Sequence, residues 1–162
     1  MGYTHYWERP SVLPRPEFIA AVADCRRLCA AIGVPLAGAD GTGQPTFNDN
    51  EICFNGRGEE SYEAFVVKRL IVPRPSPEQI TNDRASDFCK TNYLPYDLCV
   101  QGCLIVLSDH LGQAIFAVDS DGTSGQWNAA RDACQRVLGY GGDWGCGKLA
   151  PLTPPPTTSA AG

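Results

Sequence analysis

The chain predicts an α+β fold, and three observations carry that prediction. Apolar residues recur at helical spacing in three segments, 16–33, 95–112 and 124–142. Between them lie short runs of β-branched and aromatic residues at 3–7, 51–55, 62–72 and 114–122. The junctions are rich in the breakers, with 13 prolines and 17 glycines among 162 residues, so the places where elements stop are legible.

The first strand is "YTHYW". Alternation puts Tyr3, His5 and Trp7 on one face and Thr4, Tyr6 and Glu8 on the other. Aromatic bulk on both faces predicts a central strand rather than an edge. Prolines in "RPSVLPRP" end it, and Pro16 suits the first turn of a helix. Phe18, Val22, Cys25, Cys29 and Ile32 form that helix's apolar stripe, which Gly33 closes. A Gly-rich polar loop follows over 35–50. "EICFN" and "YEAFVVKRLIV" then predict a hairpin, with Asn55-Gly56 supplying the reversal.

A second loop spans 73–87. The second helix runs from Pro95 to Gly112, apolar over most of its circumference except a thin line of Asp97, Gln101 and Ser108. Such a helix is expected to be buried. "AIFAVDSDG" is a strand running into a turn. Ser124 is placed to cap the third helix, with Trp127, Ala130, Cys134, Val137 and Leu138 as its stripe. The end, "PLTPPPTTSAAG", has linker composition with polyproline II tendency. The order β-α-β-β-α-β plus a helix predicts a ferredoxin-like sandwich with an extra C-terminal helix and a Pro-rich tail. Its domain is expected over 1–139, with a Gly/Pro-rich extension over 140–162.

Net charge is −5, which disfavours generic binding to nucleic acid or to anionic membranes. The N-terminus has no basic segment leading into an apolar run, and no stretch is apolar for long enough to span a bilayer. The expected location is the cytoplasm. Without a secretory signal, most of the eight cysteines are expected to be free thiols. Cys25/Cys29 and Cys99/Cys103 are each four apart, so each pair shares a helix face and does not have zinc-knuckle spacing. No metal or cofactor is expected.

Two short motifs mimic enzyme signatures. "AIFAVDSDGT" matches the phosphatase pattern in which Asp119 would be nucleophile and Asp121 general acid, but only 39 residues follow and no parallel sheet is left to form. "GDWGCGKL" has P-loop spacing, yet Leu149 stands where a Mg²⁺-binding hydroxyl belongs. Lys90 beside Cys89 is placed to lower that thiol's pKa. His110, near a helix end, suits interaction with terminal carbonyls. The remaining polar residues in structured segments, His5, Tyr6, Asn55, Lys90, Thr91, Tyr96, Asp97, Asp119 and Asp121, are the candidate ligand-binding set. The competing reading is that they cap helices and satisfy loop backbone.

"MGYTHYW", "ICFNG" with "YEAFV", "DFCKTNYLPYD" and "DSDG" followed by Trp127 together resemble a family of small proteins met in bacteriophage and bacterial genomes. The resemblance covers residues 1–138 and maps its Cys-Lys-Thr and Pro-Tyr-Asp elements onto Cys89, Lys90, Thr91, Pro95, Tyr96 and Asp97. It implies a phage-related setting and no mechanism. The expected function is a non-catalytic binding protein for a small anionic or nucleotide-like ligand, with Lys90 for an anion and Tyr6, Trp7 or Tyr96 for stacking. The alternative is a virion or assembly accessory that docks on a phage or host protein through its C-terminal tail. A small enzyme ranks third.

Overall fold

A computed structural model describes residues 3–71 and 84–151. Its strands and helices are β1 (Thr4–Arg9), α1 (Arg15–Ile32), β2 (Leu36–Ala37), β3 (Thr46–Phe47), β4 (Glu51–Gly56), β5 (Phe65–Lys68), β6 (Ala85–Lys90), α2 (Asp97–Leu111), β7 (Ala117–Ser120) and α3 (Asn128–Leu138). The fold is α+β with two antiparallel sheets. One has the order β6-β1-β7, with β1 central. In the other, β4 pairs with β2, β3 and β5. Among the described residues, no helix is long and apolar enough to cross a membrane.

The inward face of β1 carries Trp7, which joins Cys89 of β6 and Val118 of β7 in one core with Phe18 and Cys25 of α1 and Cys99, Val100 and Cys103 to Leu107 of α2. α2 is buried nearly all round, its polar Gln101 and Ser108 included. Close packing of α1 on α2 depends on Gly102, where an added Cβ would lie 2.6 Å from Leu28 Cδ2. The second sheet contributes Ile52, Phe54, Phe65 and Val67 to the same core. Trp7 and Phe65 rings, 5.3 Å apart, join the two sheets edge to face. Arg9, itself buried, donates to the carbonyls of Pro10 at 3.0 Å and Arg69 at 3.2 Å, tying the end of β1 to the chain after β5.

Several expectations need correction. The neighbour of β1 is Ala85–Lys90, read from sequence largely as loop, and not the 62–72 run. That run forms only the four-residue β5, and it lies in the second sheet. β6 escapes sequence reading because it is an edge strand whose Ser86, Asp87 and Phe88 are exposed, so no apolar alternation marks it. Asn55-Gly56 is not the turn between β4 and β5: both residues belong to β4, and the positive φ, +61°, falls at Gly58. The cap before α3 is Thr123, not Ser124. Gln126 Oε1 accepts from the Thr123 N–H at 2.8 Å, and the Thr123 side chain bonds back to the Gln126 N–H, a reciprocal capping box.

Residues 140–151, expected as an extension, pack into the domain. Trp144 and Leu149 are core residues. Buried Arg131 of α3 stitches them down, donating to the carbonyls of Ser124 at 2.8 Å, Trp144 at 2.6 Å and Leu149. The tail on which the docking expectation rests spans 152–162 and lies outside the described residues.

Candidate functional site

The expected polar set divides into three groups. The first is a line of hydrogen bonds under the sheet. His5, wholly buried on β1, meets Ser120 Oγ of β7 through Nδ1 and Asp97 Oδ1 of α2 through Nε2, both at 2.7 Å. Thr91 Oγ1 donates to the same Asp97 oxygen at 2.6 Å. One tautomer satisfies every atom: Nε2–H donates to the carboxylate and Nδ1 accepts the Ser120 hydroxyl. Asp97 opens α2, where a carboxylate also meets the positive end of the helix dipole.

Ser120, His5 and Asp97 are the residue types of an acyl-transfer triad. Their setting is that of scaffold. Ser120 is 1% exposed, and its Oγ already accepts the Gly122 N–H at 2.9 Å. Tyr3 and Trp127 rings cover the imidazole at 4.9 and 5.0 Å. A carbonyl carbon has no approach to that oxygen. Burial, with the Asp97 charge added, pushes the Tyr3 phenol up to about 12.

The second group ties loops together. Asn55 uses its whole amide: Nδ2 donates to Ala39 and Tyr62 carbonyls at 3.0 Å each, and Oδ1 accepts from Gly56 and Tyr62 N–H. Tyr96 donates to the Glu63 carbonyl at 2.6 Å. Glu63 in turn accepts the Lys90 N–H at 2.7 Å, joining the end of β6 to the chain before β5. Cys89 is not an activated thiol. Burial and then the Glu63 charge raise its pKa, and strand alternation places the Lys90 side chain on the opposite face. His110 likewise has a partner other than helix carbonyls, Asp24 Oδ2 at 2.8 Å.

The third group lies on the outward face of the β6-β1-β7 sheet. Tyr6 of β1 faces Phe88 of β6 directly across the ladder on one side and Asp119 of β7 on the other. Both rings are solvent-exposed, Tyr6 at 41% and Phe88 at 56%. They border a shallow depression of about 560 Å³ with Glu8, Ser86 and Ala117. Outside that depression, opposite Thr4 on the ladder, Lys90 shares the face of Phe88 and holds its ammonium 5.7 Å over the Tyr62 ring. Asp121 accepts the Tyr6 hydroxyl at 3.3 Å and the Thr4 N–H at 3.2 Å. Asp119 pairs with Lys148 at 3.8 Å, both exposed.

β7 is an antiparallel edge strand, so Asp119 and Asp121 do not have the parallel-sheet setting of the phosphatase motif. Among the described residues no group of three or more His, Cys, Asp or Glu is arranged to hold a metal ion. The expected set thus brings Tyr6, Lys90, Asp119 and Asp121 to one surface and leaves His5, Thr91, Asp97, Asn55 and Tyr96 as internal supports. Sequence reasoning missed Phe88 and Ser120. Phe88 carried a readable signal, because it stands at the i−2 position to Lys90. That spacing gains meaning only because residues 85–90 form a strand. Comparison with known protein families, characterised proteins and solved structures finds no match to this chain.

Proposed function

We propose that the chain is a non-catalytic binding protein, and that its site is the open face of the β6-β1-β7 sheet. The ligand is a single nucleotide-like molecule whose planar ring lies against Tyr6 and Phe88. The observation that carries this reading is that two exposed aromatic residues, Tyr6 and Phe88, stand opposite each other on adjacent strands and both border a depression. Two exposed rings on one sheet face offer a flat apolar platform, and base-on-aromatic stacking supplies roughly 1–3 kcal/mol per base.

The charges around the rings select further. Lys90 is the cation placed for a phosphate. Glu8 and Asp119 are carboxylates that accept N–H groups from a base edge and repel a long polyanion, which favours a mononucleotide over a nucleic acid strand. In our reading the frame is a ferredoxin-like core in which β1, β6 and β7 are three of the four strands and the second sheet stands in for the fourth. The resemblance to phage and bacterial proteins supplies a setting in which sequestering a small host molecule is a sufficient role.

The test is a thermal-shift and calorimetric screen of mono-, di- and cyclic nucleotides against the full chain and its Tyr6→Ala and Phe88→Ala variants. Binding that each substitution weakens about 5- to 150-fold, the equivalent of 1–3 kcal/mol, is expected. A panel without a hit, or a hit indifferent to both rings, overturns the reading.

A further inference from the structure

The two Cys-x-x-x-Cys spacings meet in space. Cys25 and Cys29 of α1 face Cys99 and Cys103 of α2 in the seam between the helices. The Cys29 and Cys103 sulfurs are 3.6 Å apart. Cys99 lies within hydrogen-bonding reach of Cys29, and Cys25 Sγ points at the Cys103 carbonyl at 3.9 Å. All four are free thiols. Cys25, Cys99 and Cys103 are wholly buried, whereas Cys29 keeps 4% exposure. That exposure opens on a surface pocket of about 590 Å³ walled by Arg26, Gly33, Leu36 and Phe47.

We propose that Cys29 and Cys103 are an oxidation-sensitive pair, and that a hydroperoxide entering the Cys29 pocket closes a disulfide between α1 and α2. The sulfurs already touch, so a bond of about 2.05 Å requires them to close a gap within the seam. Cys29 attacks one peroxide oxygen and gives up its thiol proton as it does so. The O–O bond breaks, the departing oxygen leaves as water after taking up the thiol proton, and Cys29 becomes a sulfenic acid. Cys103 then attacks the Cys29 sulfur. The S–O bond breaks, the S–S bond forms, and hydroxide leaves as a second water with the Cys103 proton. In sum, two thiols and one hydrogen peroxide give one disulfide and two waters, the two electrons passing from sulfur to peroxide oxygen.

Contact with Cys103 raises the Cys29 thiol well above its ordinary range, and burial does the same for Cys103. The pair is therefore held as thiols and answers to sustained exposure, while half-buried Cys53 and Cys146 are the competing targets. The site is separate from the outward sheet face, so this inference does not depend on the proposed ligand.

The experiment treats the full native chain with hydrogen peroxide, quenches remaining thiols with an alkylating agent and maps the peptides. A Cys29–Cys103 cross-linked peptide, about 2 Da lighter than its two reduced parts, is expected. Cys29→Ala and Cys103→Ala abolish it, and Cys25→Ala leaves it. A wild-type map in which Cys29 ends as sulfinic acid without a cross-link overturns the proposal. So does a map with Cys29 joined to Cys99, or one in which only Cys53 and Cys146 are modified. Because the wild-type map decides alone, a variant that fails to fold does not protect the idea.

Discussion

The carboxylate that opens α2, Asp97, holds the imidazole of His5, near the start of β1, at 2.7 Å across 92 positions of sequence. With Thr91 on the same oxygen and Ser120 behind the ring, this contact registers the helix against the central strand. Asp97→Ala strands the His5 N–H and the Thr91 hydroxyl in a buried setting. A loss of about 2–4 kcal/mol in urea unfolding is expected, with Asp97→Asn losing less. A change below 1 kcal/mol would show that the network contributes little.

The two faces of β1 are expected to respond differently to truncation. Trp7→Ala empties a core site and is expected to destabilise by about 3–5 kcal/mol. Tyr6→Ala and Phe88→Ala, on the solvent side, are expected to stay within about 1 kcal/mol. Denaturant midpoints measure all three. If the outward pair proved as destabilising as Trp7, the rings would be scaffold rather than a surface for a ligand.

Arg131 presents its guanidinium to carbonyls from three separate turns of chain. Arg131→Met leaves those acceptors unpaired in the interior, and a loss of about 3–5 kcal/mol is expected. Limited proteolysis adds a spatial readout: cleavage is expected to begin within 140–151, the segment that Arg131 holds. Cleavage elsewhere would argue that other contacts anchor it.

Asp24 has a measurable acid signature. Burial raises its pKa, but hydrogen bonds from Tyr140 and His110 outweigh that, and the net shift is downward. A carboxylate depressed in the folded state contributes stability that is complete above its unfolded pKa of about 3.9 and is lost as pH falls through the folded value. Unfolding free energy is therefore expected to drop below about pH 4, and Asp24→Asn is expected to remove that component of the slope. An unchanged slope in the variant would assign the acid sensitivity to other groups.

The helices were readable because their stripes are long and unbroken, as Phe18 to Ile32 shows. The central place of β1 was readable from aromatics on both of its faces. What a single strand does not contain is which face the helices cover, and that decides whether Tyr6 or His5 meets solvent. β6 was unreadable for a related reason: it forms because β1 offers an unpaired backbone edge, not because its own side chains alternate. The sequence places the polar set in structured segments, but that placement alone does not separate a ligand site from a support. His5 and Asp97 became distinguishable from Tyr6 and Lys90 only when their partners were placed.

The near-complete burial of α2 gives the protein an internal clock. Backbone amides in such a helix exchange with deuterated solvent only when the whole domain opens, so their rates report global stability. Tyr6, Phe88 and Lys90 belong to other elements, so a ligand seated on them touches no part of that helix. Binding there would nonetheless slow the α2 amides by the factor one plus ligand concentration over Kd. A probe in the middle of the molecule thereby reads occupancy at its surface.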